Sequence, residues 1–247
     1  MQRYFVNENK INLKTKLVTI EGNDHHHIKN VMKMHVNERV ILCDGECHEY
    51  LCLIKNISDV TTLEIIDSMV NENELNGYVS IAQGLVKKAK CDEVLRRIVE
   101  LGASEYFNVI TDYSVIKEKD NDNKYLERRK TIVKEASEQS ERGRLLNLLE
   151  TKSFNEFLKY ANNFDNKICA YEENGRNGIN NLNSSIDFYN KKTIVIVGPE
   201  GGFSNKEVEL LKNNGFVFVS LGKRILRTET APLYLMSVIG YLIDGVR

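Results

Sequence analysis

The feature that most constrains the fold is a run of β-branched residues at 193–197, which carries almost no polar atoms. A strand of this composition is typical of the buried parallel strands of an α/β sheet, because such strands are covered by helices on both faces. From residue 78 onward, runs of this kind alternate with segments whose apolar residues recur at helical spacing. This alternation predicts an α/β domain with helices packed on the sheet.

Periodicity and capping residues place the individual elements of this α/β region. Strands are predicted at 78–83, 106–111, 167–171, 193–197 and 216–221, and helices at 92–101, 124–142, 205–214 and 233–242. Ser204 followed by Glu207 predicts a capping box at the start of the third of these helices. Gly102 follows the first helix at the position where glycine commonly ends one.

The N-terminal part of the chain has short β-rich runs separated by turns. Residues 40–43 and 49–54 flank Asp44-Gly45, a dipeptide that favours a hairpin turn. Residues 61–66 predict a further strand. These runs predict a small β-barrel-like domain.

One short helix is predicted in this N-terminal part, with Asp24 as N-cap and with Ile28, Val31 and Met32 on one face. The polar segment 70–77 ends in glycine and is predicted to be a linker. We therefore predict two domains, at 1–72 and 73–247.

Composition excludes several classes of protein. The 247 residues carry 34 Lys and Arg against 35 Asp and Glu, so bulk charge does not indicate a nucleic-acid-binding protein. We find no run of about 18 apolar residues and no apolar signal segment, so we expect a cytoplasmic protein without a membrane partner. The five cysteines lack the spacing of a zinc site, so we expect free thiols and predict no metal.

A glycine-rich segment at 198–204 follows the buried strand and precedes the capped helix. Gly198, Gly201 and Gly202 permit close approach of the backbone to a ligand, and ligands of open α/β sheets bind beyond the carboxyl ends of the strands. The segment lacks the Gly-Lys-Ser/Thr of a P-loop. Because Glu200 disfavours a polyphosphate, a neutral or cationic ligand is favoured. A tight turn without a ligand is the alternative.

A second segment, at 221–232, also follows a predicted strand and leads into a helix. It carries three cations, one carboxylate and two hydroxyls in twelve residues, which is more than a turn requires. Ile225 and Leu226 are apolar in the middle of this loop, so we expect something such as a flat organic ligand to cover them. A structural salt-bridge loop is the alternative.

The string GPEGGFSNKEVE at 198–209, followed by LGKRILRTETA at 221–231, resembles the RsmE-type ribosomal RNA uracil-N3 methyltransferases of the SPOUT class. Both motifs are long, specific and in the order of that family. The likeness extends along most of the chain, through segments at 3–5, 27–34, 100–102 and 135–140.

The resemblance implies features that composition and spacing do not provide. It implies an N-terminal PUA-like β-barrel that helps to hold RNA, and a C-terminal SPOUT α/β domain with a deep trefoil knot, which is a rare arrangement in proteins. It implies a homodimer that takes S-adenosylmethionine as cofactor. The implied substrate is a uridine in small-subunit ribosomal RNA, either as naked RNA or in the assembled subunit.

In that family the cofactor lies against the two loop segments. The residues that the resemblance assigns to cofactor binding here are Val197, Gly198, Pro199, Glu200, Gly201, Gly202, Leu221, Gly222, Ile225, Leu226, Arg227, Thr230 and Ala231.

Methyl transfer to uracil N3 requires that negative charge on O2 and O4 be stabilised as the N3 proton leaves. Arg227 is the first candidate for this role and Arg224 the second. Glu229 is left with three alternatives: it accepts the proton, orients Arg227 or holds the cofactor. Because N3 lies on the Watson–Crick edge, the target base must be unpaired or flipped out.

Contacts with RNA are predicted for cations and one histidine along the chain, although each could instead be solvated surface or, for His27, a capping residue. These predicted RNA-binding residues are Arg3, His27, Lys33, Lys88, Arg96, Arg97 and Arg142. The chain departs from the family pattern at Lys33, at 89–92, at Arg96 and Arg97, and at Tyr113. These departures bear on which RNA is recognised more than on cofactor binding.

Two other functions are compatible with the sequence. The chain could be an RNA-binding assembly factor of the same fold without turnover, or a methyltransferase that acts on another RNA such as tRNA. The intact residues at 227–230 count against the first of these.

Overall fold

A computed structural model describes residues 1–7, 10–114, 123–171 and 186–245. The chain divides into two compact units. The first comprises Met1–Glu74 with Ser137–Leu145, and the second comprises Leu75–Ala136 with Leu146–Arg247. Ser137–Leu145 lies within the region that the sequence analysis assigned to the second domain. The boundary predicted at residue 72 remains a prediction.

The first unit is built on a five-stranded sheet. Its strands are β1 (Gln2–Phe5), β2 (Leu17–Ile20), β3 (Arg39–Cys43), β4 (His48–Ile57) and β5 (Thr61–Val70), in the spatial order β1-β3-β4-β5-β2. β1 pairs with β3 in parallel, and the other pairs are antiparallel. The predicted hairpin around Asp44-Gly45 is confirmed by the pairing of β3 with β4. Tyr4, Leu42, Ile54 and Leu63 are among the residues that fill its core.

The predicted short helix is present, but its cap and its buried face were wrong. Helix α1 (Gly22–His26) begins after Glu21, and it continues as a π-helical turn at His27–Val31. In this turn the amide of Met32 donates to the carbonyl of His27 at 2.8 Å, five residues earlier. A π-turn changes the angular spacing of side chains, so the helical period used for prediction fails here. As a result Ile28 is buried, whereas Val31 and Met32 are exposed.

Two carboxylates, the buried Glu49 and the partly buried Glu74, bind segments of the first unit together. Glu49 accepts hydrogen bonds from Arg3 and Asn71. Glu74 pairs with the Arg142 guanidinium at 3.1 and 2.7 Å and also accepts from the amides of Gly143 and Arg144. Asn71 is buried rather than part of an exposed linker, so the linker predicted at 70–77 was wrong at its start.

These ion pairs also correct two predicted RNA contacts. Arg3 and Arg142 are both buried, and each guanidinium is paired with a carboxylate that lies 46 or 68 residues away in the chain. A buried, paired guanidinium is not available to a phosphate. We therefore assign Arg3 and Arg142 to the stability of the first unit.

The second unit is built on a seven-stranded sheet with parallel pairing. Its strands are β6 (Tyr78–Gly84), β7 (Glu105–Ile110), β8 (Asn147–Leu148), β9 (Lys152–Ser153), β10 (Asn166–Ala170), β11 (Lys192–Val197) and β12 (Val217–Val219). The spatial order is β12-β10-β11-β6-β7-β8, and β9 also pairs with β7. The strand predicted at 193–197 is confirmed as β11, which lies between β10 and β6 with its last five residues buried.

Helices cover both faces of this sheet. They are α2 (Lys88–Glu100), α3 (Asn123–Gln139), α4 (Phe154–Ala161), α5 (Asn205–Asn213) and α6 (Thr230–Asp244). One core cluster joins α2, α3 and α6 to strand residues such as Ile81 and Val195. The other joins α4 and α5 to the alternate strand residues, such as Ala82 and Ile194. The predicted α/β class is confirmed, whereas the trefoil knot remains a prediction.

Several predicted boundaries differ from the structure. Helix α2 begins at Lys88 rather than at residue 92, and α3 ends at Gln139, shortly before Glu141 takes the left-handed conformation at φ 56°. The strand predicted at 216–221 is limited to β12, because the following residues leave the sheet to form a loop. Most of the loop predicted at 172–190 lies outside the described residues.

Helix α4 was missed, although its start carries a capping box. The Ser153 side chain accepts from the Glu156 amide at 3.3 Å, and the Glu156 carboxylate accepts from the Ser153 amide at 2.7 Å. Ser153→Ala removes the cap and should destabilise the protein by about 1 kcal/mol, or about 2–4 °C in Tm. Ser153→Thr keeps the hydroxyl and is the matched control. Equal Tm losses in the two variants would show that the cap does not stabilise α4.

Candidate active site

The two loop segments singled out in the sequence meet at one edge of the second unit. β10, β11 and β12 are parallel neighbours, so their carboxyl ends lie at the same edge. The loops that follow β11 and β12 border a cavity of about 1080 Å³ there. Its lining comprises Lys90, Ala170, Tyr171, residues 197–203, residues 220–229 and Ala231. Of the residues predicted to bind a cofactor, all but Thr230 line this cavity.

The loop after β11 is a tight turn, and glycine is required at two places. The amide of Gly202 donates to the carbonyl of Pro199 at 2.9 Å, and Gly202 has a positive φ of 70°. Gly84, at the end of β6, packs directly under this turn. A Cβ atom on Gly84 would lie 2.5 Å from the backbone nitrogen of Pro199. The loop can therefore approach β6 only because Gly84 has no side chain.

A buried carboxylate fixes the end of this loop to the start of α5. Glu207 completes the predicted capping box with Ser204, which is confirmed. Its other carboxylate oxygen accepts from the amide of Asp112 at 2.9 Å, and the Ser204 hydroxyl donates to the Asp112 carboxylate at 2.5 Å. The capping box thus also joins the loop after β7 to the cavity loop.

The loop after β12 is anchored at Thr228. The hydroxyl of Thr228 donates to the carbonyl of Gly198 at 2.7 Å, so it connects the two cavity loops. Arg227 and Glu229 flank this buried threonine. The carbonyl of Arg227 accepts from the amides of Thr230 and Ala231, which starts helix α6. The loop conformation at Arg227 and Glu229 is therefore set by hydrogen bonds on both sides.

Lys90 lies between two carboxylates of the cavity. Its Nζ is 2.9 Å from Glu200 Oε1 and 3.4 Å from Glu229 Oε2. The hydrogen bond to Glu200 raises the pKa of Lys90. Partial burial alone would raise the pKa of Glu200, but the hydrogen bond from Lys90 and nearby positive charge outweigh it and lower that pKa. Both groups are therefore charged over the whole neutral range.

The position of Lys90 in the cavity was not predicted from the sequence. Its partners Glu200 and Glu229 lie more than 100 residues away along the chain, so no local signal links them.

The arginines of the second loop differ from Lys90 in their surroundings. Arg224 and Arg227 are exposed on the cavity lining, and neither has an ion pair with a residue in the described part of the chain. Ile225, between them, is 78% exposed, whereas Leu226 packs against the core. The cavity therefore combines two unpaired guanidinium groups, an exposed apolar side chain and a lysine that is neutralised by carboxylates.

Comparison with known proteins assigns the chain to a family. Residues 73–240 match the model of the RNA methyltransferase domain, and residues 20–61 match that of the RNA methyltransferase PUA domain. The chain is 36% identical to the ribosomal RNA small subunit methyltransferase E of Bacillus subtilis, over 100% of this chain and 99% of that protein. This chain belongs to the ribosomal RNA small subunit methyltransferase E family.

Other members of this family agree with the assignment. The enzyme of the same name from Mesomycoplasma hyopneumoniae is 29% identical over 96% of this chain and 98% of its own length. The crystal structure of a ribosomal RNA small subunit methyltransferase E from Neisseria gonorrhoeae, bound to S-adenosyl methionine, is 28% identical and superposes with a TM-score of 0.85 over 98% of both chains. The predicted PUA-like domain and the family resemblance are thereby confirmed.

The remaining predicted RNA contacts of this family member lie outside the cavity lining. Lys88 lies over the Tyr125 ring at 4.5 Å, Arg96 is 3.7 Å from Glu135, and Arg97 is 3.1 Å from Glu100. All three side chains are exposed. In the first unit Lys33 is exposed, and His27 Nδ1 is 3.0 Å from the Tyr4 hydroxyl.

The described ranges contain neither a metal-binding cluster nor a membrane-spanning helix. In these residues no group of three or more His, Cys, Asp and Glu side chains could hold a metal ion, and the five cysteines are free. Burial raises the pKa of the Cys43 and Cys52 thiols to about 12. No helix in the same ranges is long and apolar enough to cross a membrane.

The contact between Gly84 and Pro199 is testable. Gly84→Ala forces Pro199 away from β6 and should destabilise the protein by about 1–3 kcal/mol, as overpacking usually does. Gly240→Ala in α6 is the matched control, because its Cβ would meet only the Leu75 side chain at 3.9 Å. Thermal unfolding compares the two variants. A Tm for Gly84→Ala as high as that of Gly240→Ala would contradict the close approach.

Proposed function

We propose that this protein transfers a methyl group from S-adenosylmethionine to N3 of a specific uridine in small-subunit ribosomal RNA. The observation that carries the proposal is the cavity at the strand ends, because it combines the residues of both family motifs in a chain of this family. Membership of the ribosomal RNA small subunit methyltransferase E family supports small-subunit ribosomal RNA as the substrate. The alternatives are an inert RNA-binding assembly factor and a methyltransferase for another RNA such as tRNA.

The volume of the cavity and one cluster of charges in its lining suit S-adenosylmethionine. A volume of about 1080 Å³ lies just above the usual range of about 300–1000 Å³ for small-molecule sites, so it has room for this cofactor. Backbone groups of Gly198, Gly202 and Leu221, which line the cavity, would hold the adenosine, and the bound cofactor would cover the exposed side chain of Ile225. Two carboxylates against one lysine give the Glu200–Lys90–Glu229 cluster a net negative charge, which suits a sulfonium.

When bound, the cofactor supplies an electrophilic methyl group, and the protein supplies placement and electrostatics. Arg227, with Arg224 second, would donate to uracil O2 or O4 and stabilise the charge that develops as N3 loses its proton. Their lack of carboxylate partners in the described residues leaves them free for this role. Glu229 would accept the proton, orient Arg227 or hold the cofactor, and its pairing with Lys90 is compatible with each.

The RNA would approach from the exposed cations outside the cavity. Lys33, Lys88, Arg96 and Arg97 are the predicted phosphate contacts that remain exposed, and such contacts position RNA without reading its sequence. His27 remains a candidate RNA contact, although its Nδ1 is already within hydrogen-bond distance of the Tyr4 hydroxyl. We further propose a homodimer located in the cytoplasm, both on the ground of the family. Size-exclusion chromatography with light scattering tests the dimer.

The decisive experiment maps the product. Purified protein and labelled S-adenosylmethionine are incubated, in parallel, with small ribosomal subunits that lack the uracil-N3 methyl group, with naked ribosomal RNA and with tRNA. Label at N3 of one uridine is the expected result. Label on tRNA alone would show that the substrate is tRNA and not ribosomal RNA. Binding of RNA without transfer of label to any RNA would favour an RNA-binding assembly factor.

Arg227 provides the sharpest mutational test. Arg227→Ala should lower kcat by about 100–1000-fold, as the removal of one charge-stabilising donor commonly does, with Tm unchanged. Lys212→Ala is the matched control, because it removes an exposed cation of the same unit that is paired with Glu209. Single-turnover methyl transfer compares the variants. Full activity of Arg227→Ala would remove Arg227 from the mechanism.

A further inference from the structure

We infer that Gln83, which does not line the cavity, is a positioning residue for the proposed methyl transfer and acts by fixing the Arg227–Glu229 turn. The inference rests on the proposed function. Gln83 lies near the carboxyl end of β6, the strand that pairs with β11. It is fully buried, with 0% of its surface exposed. Neither family motif contains it.

The side chain of Gln83 joins β6 to the second cavity loop. Its Nε2 donates to the carbonyl of Thr228 at 3.0 Å, with the Thr228 hydroxyl at 3.4 Å. The Thr228 hydroxyl in turn donates to the carbonyl of Gly198. Gln83 therefore holds the residue that connects the two loops and that separates Arg227 from Glu229.

Neighbouring groups fix which way the Gln83 amide points. The Tyr106 hydroxyl donates to Gln83 Oε1 at 2.6 Å, and it accepts from Asn108 Nδ2 at 3.2 Å. Because Asn108 supplies a proton to the Tyr106 oxygen, the Tyr106 proton is left for Gln83 Oε1, and Nε2 is left for Thr228. A flipped amide would set its oxygen against the Thr228 carbonyl. The chain of donors thus has one direction, from Asn108 through Tyr106 and Gln83 to Thr228.

The position itself argues for a role beyond packing. Val79 and Ile81 occupy the same face of β6 as Gln83, and both are buried apolar residues of the core. An apolar side chain would continue that pattern, and a buried amide is costly unless its groups are satisfied. Here every polar group of Gln83 has a partner, and the partner of its donor lies in the loop of the proposed catalytic residues.

Ser80 provides a matched control on the same strand. Its hydroxyl is buried like Gln83 and donates to the Glu105 carboxylate at 2.6 Å, away from the cavity loops. Tyr78 and Tyr160 donate to the other oxygen of Glu105, Oε2, so Ser80→Ala removes the donor of Oε1 and keeps both donors of Oε2. Ser80→Ala should lower Tm by about 2–4 °C, the usual loss for one hydrogen bond, and leave kcat unchanged.

The test compares Gln83→Met with Ser80→Ala in single-turnover methyl transfer, together with KM for S-adenosylmethionine and Tm. Gln83→Met keeps the length of the side chain but not its hydrogen bonds. We expect kcat to fall about 10–100-fold, as displacement of catalytic groups by about 1 Å does, and KM to change less than kcat. Tyr106→Phe removes only the hydroxyl that orients the amide and should lower kcat in the same direction, which decides the matter if Gln83→Met does not fold.

A second comparison separates positioning from loss of stability. If Gln83 acts through Arg227, Gln83→Met should lower kcat far less in an Arg227→Ala background than in the wild type. Additive losses, or a kcat for Gln83→Met and Tyr106→Phe equal to that of Ser80→Ala, would overturn the inference. Absence of transfer by the wild-type protein would instead overturn the proposed function.

Discussion

The hydrogen bond from the Thr228 hydroxyl to the Gly198 carbonyl is the contact on which the cavity depends. The loops that it joins follow β11 and β12, and these strands are separated in the sheet by β10. Strand pairing therefore does not bring the loops together, although it brings their starting points to the same edge. A partly buried side-chain hydrogen bond across the gap does so, and it satisfies the hydroxyl of the buried Thr228 and the carbonyl of Gly198. Together with Lys90, which pairs with Glu200 of one loop and Glu229 of the other, this bond holds the two loops around the cavity.

The charges of the cavity fall into two classes with different surroundings. Glu200, Lys90 and Glu229 neutralise one another in part, whereas Arg224 and Arg227 have no carboxylate partner in the described residues. The pair between Glu200 and Lys90 is lost at low pH only when Glu200 becomes protonated, and the lowered pKa of Glu200 delays this. It is lost at high pH only when Lys90 loses its proton, and the raised pKa of Lys90 delays that. Over the neutral range Arg224, Arg227 and the exposed Lys223 of the same lining are thus the cations open to an anionic partner.

Local patterns predicted the elements that bear this site, because each depends on neighbouring residues. The β-branched run of β11, the glycines after it and the Ser204 capping box are all signals within a few positions. Two failures also have local causes: a π-turn shifted the phase of α1, and the cap of α4 was overlooked. The sequence could not reveal pairings over long separations. Arg3, Lys90 and Arg142 are all cations with distant carboxylate partners, and two of them, Arg3 and Arg142, were predicted to contact RNA.

The reassignment of Arg3 and Arg142 changes how RNA affinity would arise under the proposed function. The chain has a net charge of −1, and two of its predicted phosphate contacts are now buried in ion pairs. Affinity that depends on phosphate neutralisation falls with each cation removed. Specificity for one uridine would then depend on the shape of the RNA around a flipped base and on the few cations near the cavity, above all Arg224 and Arg227. In such a protein, the bonds that fix the Arg227–Glu229 turn matter more than the total positive charge of the surface.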